Sequence, residues 1–152
     1  MSSSADLPVA SSAPQTGTDA PRRLRVLLYS DDRSTRDAVR VAVGNRPARH
    51  VEISSWLECA TPAAAESAMK EGGFDLLILD GEAAPFGGLG MCRQFKHEFF
   101  DCPPVIVLTG RPQDDWLAAW SYADGVVPHP LDPMQMASTV AEIGTREAVQ
   151  PS

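Results

Sequence analysis

A doubly wound α/β sandwich, with a five-stranded parallel sheet and helices on both faces, is the fold this sequence predicts. Two observations lead to it. Short runs of apolar, often β-branched residues alternate along the chain with longer stretches of helical character, the pattern of βα units joined by right-handed crossovers. The runs also lack the strict polar alternation of a strand with one face in water, as expected where helices cover both sides.

The strands are read as "LRVLLYS" (24 to 30), "VEISSWLE" (51 to 58), "DLLILD" (75 to 80), "PVIVLT" (104 to 109) and "GVVP" (125 to 128). Between them, "STRDAVRVAVG" places Ala38, Val39, Ala42 and Val43 on one helical face and stops at Gly44. "TPAAAESAMKEGG" opens with Thr61 as N-cap and Pro62 at the first helical position, and stops at Gly72. "GLGMCRQFKHEF", "QDDWLAAWSYA" and "DPMQMASTVAEIGTRE" supply three further helices, the last opening on Asp then Pro. Residues 1 to 21, rich in Ser, Ala, Pro and Thr, carry too little apolar mass to offset the entropy of ordering and read as a disordered tail. A domain over 22 to 145 follows, and 146 to 152 read as a frayed end.

Composition narrows the function. A length of 152 residues suits one domain, and a net charge of -7 without a basic stripe argues against nucleic acid. Cys59, Cys92 and Cys102 are widely spaced, as reduced thiols would be, and no run is long enough to span a membrane. With no signal peptide at the N-terminus, a cytoplasmic location is expected.

In a doubly wound fold ligands sit beyond the carboxyl ends of the strands. Strand 1 ends in Ser30, Asp31 and Asp32; strand 3 in Asp80; strand 4 in Thr109; strand 5 runs into His129 and Pro130. Carboxylates gathered at one crevice repel one another unless a cation intervenes, and an all-oxygen set suits Mg2+. Glu82 would point toward the same crevice and could supply a negative charge in place of a phosphate. Plainer readings stand beside these: Asp80 as a solvated strand cap, Thr109 as a turn cap, His129 as a residue holding the turn before Pro130, Glu82 as a loop acid in solvent.

The motifs "YSDDRSTRDAVR", "DLLILDGEAAPFGG", "PVIVLTG" and "YADGVVPHP" occur in order, and with this set the chain resembles the receiver domain of two-component response regulators, a flavodoxin-like (βα)5 fold. The resemblance covers about Arg22 to Thr145. It implies that Asp80 accepts a phosphoryl group from a histidine kinase or phosphotransfer protein. It also implies that Asp31, Asp80 and the backbone carbonyl of Glu82 hold Mg2+, with Asp32 joining only if the register slips by one. Thr109 and the residue at position 129 would then contact the phosphoryl group, and the peptide before Pro130 would be cis.

The chain departs from the family pattern in several places. Aligning Arg36 with the arginine usual in the first helix puts Ser30 on one position of the acidic pair, which weakens the Mg2+ site. His129 replaces lysine, and an imidazole is shorter and titrates near about 6.5 in model peptides. Val126 stands where a Tyr or Phe usually reports phosphorylation, and the loop after Asp80, with Pro85 and Gly87-Gly88, is unusual.

The expected function is that of an atypical single-domain response regulator in phosphorelay signalling, whose output is a protein contact. The face around the fourth helix would present Trp116, Trp120, Tyr122 and Val126 to an unknown effector or to a second copy, with packing as the plainer reading of the two tryptophans four residues apart. A phosphorylation-independent pseudo-receiver is the alternative. A Mg2+-dependent phosphohydrolase with Asp80 as nucleophile is a third reading, disfavoured because the chain has no room for a cap; otherwise no enzymatic activity beyond self-phosphorylation and dephosphorylation is expected.

Overall fold

The computed structural model describes residues 20–110 and 119–146. Among them, β1 (Arg22–Tyr29), β2 (Val51–Cys59), β3 (Leu76–Asp80), β4 (Val105–Thr109) and β5 (Gly125–Pro128) form one parallel sheet in the order β2-β1-β3-β4-β5. Four helices accompany them: α1 (Arg33–Val43), α2 (Pro62–Glu71), α3 (Gly88–Glu98) and α4 (Pro133–Ile143). The helix expected over 113 to 123 falls mostly outside the described residues, as do Trp116 and nearly all of both expected tails.

The sheet is buried from both sides, which is why its central strands read as unbroken apolar runs. Every residue of β3 and β4 is buried. On one face Leu24, Val26, Leu28, Ile78 and Ile106 meet Val39 and Val43 of α1 and Met136, Val140 and Ile143 of α4. On the other, Leu27, Tyr29, Leu77, Leu79 and Val107 meet Ala65 and Met69 of α2 and Met91, Cys92 and Phe95 of α3. Each fully buried aliphatic side chain contributes about 1.5–3 kcal/mol relative to exposure, so these two clusters are the main source of stability.

The helix boundaries follow the capping residues. Thr61 accepts from the Ala64 amide, with Pro62 in the first turn, and Asp132 accepts from the Met134 amide ahead of Pro133. Gly44 and Gly72, at φ 66 and 77, close α1 and α2 in a conformation that costs glycine little. One expectation is corrected here: Ala38 is exposed, and the buried stripe of α1 is Val39, Val43 and part of Ala42.

At the amino end of β4, Lys96 is buried and its Nζ donates to Asp124 Oδ2 at 2.7 Å, an oxygen that also accepts from the Val105 amide at 2.8 Å. This pair fastens α3 to the starts of β4 and β5, at the edge of the sheet away from the strand-end carboxylates. No helix among the described residues is long and apolar enough to cross a membrane.

Candidate phosphoacceptor site

Strand register places the polar residues side by side. Tyr29 pairs with Leu79, so Ser30 stands beside Asp80; Asp80 pairs with Leu108, so Thr109 comes next; Thr109 pairs with Pro128, so His129 follows. Two backbone bonds fasten this edge, from the Gly81 amide to the Leu108 carbonyl and from the His129 amide to the Thr109 carbonyl, each 2.7 Å.

Asp80 is 2% exposed, and a carboxylate that deep needs partners. Ser30 Oγ donates to its Oδ2 at 2.7 Å, and the Glu82 amide donates to Oδ1 at 2.9 Å. His129 Nε2 lies 3.3 Å from the same Oδ1, so the imidazole spans from β5 to the carboxylate despite being shorter than lysine. Thr109 Oγ1 is buried with no hydrogen-bond partner. An orphaned hydroxyl of this kind costs about 1–3 kcal/mol, and a group bound beside it would supply the missing partner.

The ends of β1 and β2 are held by arginine. Arg36 donates from one terminal nitrogen to the Ser30 carbonyl at 2.7 Å, and its Nε meets Glu58 Oε1 at 2.9 Å. Arg40 reaches Glu58 Oε2 at 2.8 Å, and hydrogen bonds from Arg40 and then Arg36 hold the Glu58 carboxyl below its ordinary range. Tyr29 donates to the Phe86 carbonyl, tying the loop after β3 across the crevice. Burial raises the Tyr29 pKa, and the charges of Asp31 and Asp80 raise it further.

Asp32 takes no part in the crevice. Its carboxylate caps α1, accepting from the Ser34 amide at 2.9 Å and the Ser34 hydroxyl at 2.7 Å, and those bonds lower its pKa. Of the three carboxylates expected to converge, Asp32 is thus turned to the helix cap and Asp80 is buried at the strand end, while Asp31 between them in sequence is exposed. Among the described residues no group of three or more His, Cys, Asp or Glu is arranged to hold a metal ion.

Outside the crevice, Trp120 is 47% exposed, and the Arg93 guanidinium stacks on its ring at 4.6 Å and on that of Tyr122 at 5.2 Å. The structure thus draws Arg93 of α3 into the surface expected around Trp120 and Tyr122; Val126 is half-buried on β5. The His129–Pro130 peptide is cis, as expected, and Ala84–Pro85 is cis as well, which the sequence reading did not foresee.

No family model matches the chain. Two curated relatives do: uncharacterized response regulatory proteins from two strains of Mycobacterium tuberculosis, each 46% identical over 125 residues, covering 82% of this chain and 94% of theirs. The chain belongs to the response regulator receiver family. Receiver structures share its fold. The N-terminal receiver domain of a Bacteroides fragilis response regulator superposes with a TM-score of 0.67 at 18% identity, over 84% of this chain and 99% of its own. The response regulator TrrA of Thermotoga maritima, in complex with Mg(2+)-BeF, gives 0.62 at 21% identity over 80% and 98%. The protein is accordingly a two-component signal-transduction component, and within this receiver the buried strand-end aspartate is Asp80.

Proposed function

We propose that this receiver accepts a phosphoryl group on Asp80 from a histidine kinase or phosphotransfer protein, and signals through contact with another protein. The observation that carries the reading is the state of Asp80. Its carboxylate is 2% exposed at the end of β3, held by donors from three elements and next to a buried Thr109 hydroxyl with no partner. A tetrahedral oxyanion on Asp80 would give that hydroxyl an acceptor.

In the transfer, an Asp80 carboxylate oxygen attacks phosphorus; the new oxygen–phosphorus bond forms as the bond to the leaving group breaks, and the leaving group departs with the electron pair. Ser30 and the Glu82 amide orient the carboxylate, while Thr109 and His129 supply donors on the side toward β4 and β5. The donor set fits Mg2+ at reduced charge, since two carboxylates, Asp31 and Asp80, accord with its preference for one or two carboxylates plus waters and phosphate oxygens. When bound, the ion would offset negative charge on the phosphoryl oxygens. The Mg(2+)-BeF complex of the Thermotoga relative supports the same assignment.

The test is incubation with acetyl phosphate and Mg2+ followed by intact mass, with Asp80→Asn as control. A gain of one phosphoryl group that is lost in the variant is the expected result. A second reading, a receiver that binds its partner without phosphorylation, is favoured by one observation: Ser30 stands where the family has an acid and spends its hydrogen on Asp80. Absence of any mass gain would select it.

A further inference from the structure

Glu82 does more in this crevice than offer its amide. Its side chain crosses from the end of β3 to the end of β4 and lies against Gly110, the residue after Thr109. A methyl group placed on Gly110 would collide with the Glu82 carboxylate and would lie 2.8 Å even from the farther oxygen, Oε1. The carboxylate therefore rests on a bare Cα that any other residue would cover. The neighbouring Thr109 hydroxyl is buried and unpartnered. Glu82 itself is exposed and its amide donates to Asp80 Oδ1, so its side chain starts beside the phosphoacceptor and ends on the solvent side of the residue after Thr109.

We infer that Glu82 is a resident anion, seated on Gly110 between Asp80 and solvent, which must swing outward before a phosphoryl group can enter. The inference rests on the reading of Asp80 as phosphoacceptor and assigns Glu82 the control of access to it. Two physical effects act together. The carboxylate occupies space at the mouth, and its charge repels an incoming phosphodonor that is itself an anion. Because the seat is a glycine and the seated group is the end of a flexible side chain, the block is reversible and costs little to open.

Glu82→Gln keeps the shape and removes the charge, while Gly110→Ala keeps the charge and fills the seat. The experiment compares initial rates of Asp80 phosphorylation by acetyl phosphate at saturating Mg2+, read by intact mass, for wild type and both variants. Both variants are expected to label faster, by about threefold to tenfold at low salt. The gain in Glu82→Gln is expected to shrink near 0.5 M salt, where the Debye length falls to about 4 Å, and a purely structural effect would not follow that dependence. Labelling of wild type with unchanged or slower rates in both variants overturns the inference and leaves the phosphoacceptor reading intact. No label on any of the three overturns both. Label on the variants alone supports both.

Discussion

Restoring an acid at position 30 tests how the site balances its charge. In Ser30→Asp, a hydroxyl that donates to Asp80 at 2.7 Å is replaced by a second carboxylate facing a side chain only 2% exposed. Loss of a hydrogen bond to a charged group costs about 1.5–3 kcal/mol. Two carboxylates about 4 Å apart repel by about 4 kcal/mol at an effective dielectric of 20 and by about 1 kcal/mol in water. Rotation of the new side chain toward solvent relieves part of this, and the net destabilisation expected without metal is about 2–4 kcal/mol. At about 4 °C per kcal/mol for a domain of this size, the thermal midpoint should fall by about 8–16 °C in EDTA.

Mg2+ should then return what the substitution removes. A ligand present at about a hundredfold excess over its dissociation constant stabilises by about 2.7 kcal/mol, and under the proposed Mg2+ assignment the variant offers the ion one carboxylate more than wild type. Scanning calorimetry or differential scanning fluorimetry of both proteins, in EDTA and in Mg2+, measures the effect. The variant should gain clearly more from Mg2+ than wild type. A variant as stable as wild type in EDTA, or an equal Mg2+ response in both, would refute the placement of Ser30 against Asp80.

Two further outcomes follow from the surroundings of the site. Glu58→Gln should cost about 1 kcal/mol at neutral pH in urea unfolding, a figure discounted for the partial exposure of the pair with Arg40 and Arg36. The folded-state pKa of Glu58 lies below its ordinary value of 4.5, so its contribution is present above that value and disappears as pH falls through the folded one; the two proteins should converge in acid. Burial pushes the thiols of Cys92 and Cys102 up to about 12 and about 11, so neither should react with Ellman's reagent at pH 8 until the protein is unfolded.

The fold was legible because a parallel sheet covered on both sides leaves contiguous apolar runs, and because Thr61-Pro62, Asp132-Pro133, Gly44 and Gly72 mark helix ends by local chemistry that needs no tertiary context. The placement of Ser30, Asp80, Thr109 and His129 was legible for a related reason: in a parallel sheet the strand ends share one edge. Asp32 misled because a carboxylate after a strand serves equally as a crevice acid or as the cap of the next helix, and the Ser34 amide and hydroxyl decide for the cap. The pairing of Arg36 with Glu58, 22 residues apart, requires the β1–β2 register, and the seat of Glu82 on Gly110 requires that of β3 and β4. A glycine directly after Thr109 was the available signal for that seat. It became informative only once the neighbouring strand was known.

The two departures from the family pattern that the sequence resemblance implies at the crevice have opposite signs. Ser30 is a neutral hydroxyl where the family pattern implies an acid, and His129 is an imidazole where it implies a lysine ammonium. Either change alone would leave the buried Asp80 anion with a different electrostatic partner; made together they remove one charge of each sign, while Ser30, the Glu82 amide and His129 lie against the carboxylate. The two positions should therefore be energetically coupled. In a double-mutant cycle, Ser30→Asp with His129→Lys should be more stable in EDTA than the sum of the single effects by about 1–3 kcal/mol, because the added ammonium offsets the added carboxylate. Additivity within about 0.5 kcal/mol would mean that the two positions act independently on Asp80, and the account of a charge-balanced pair would fail.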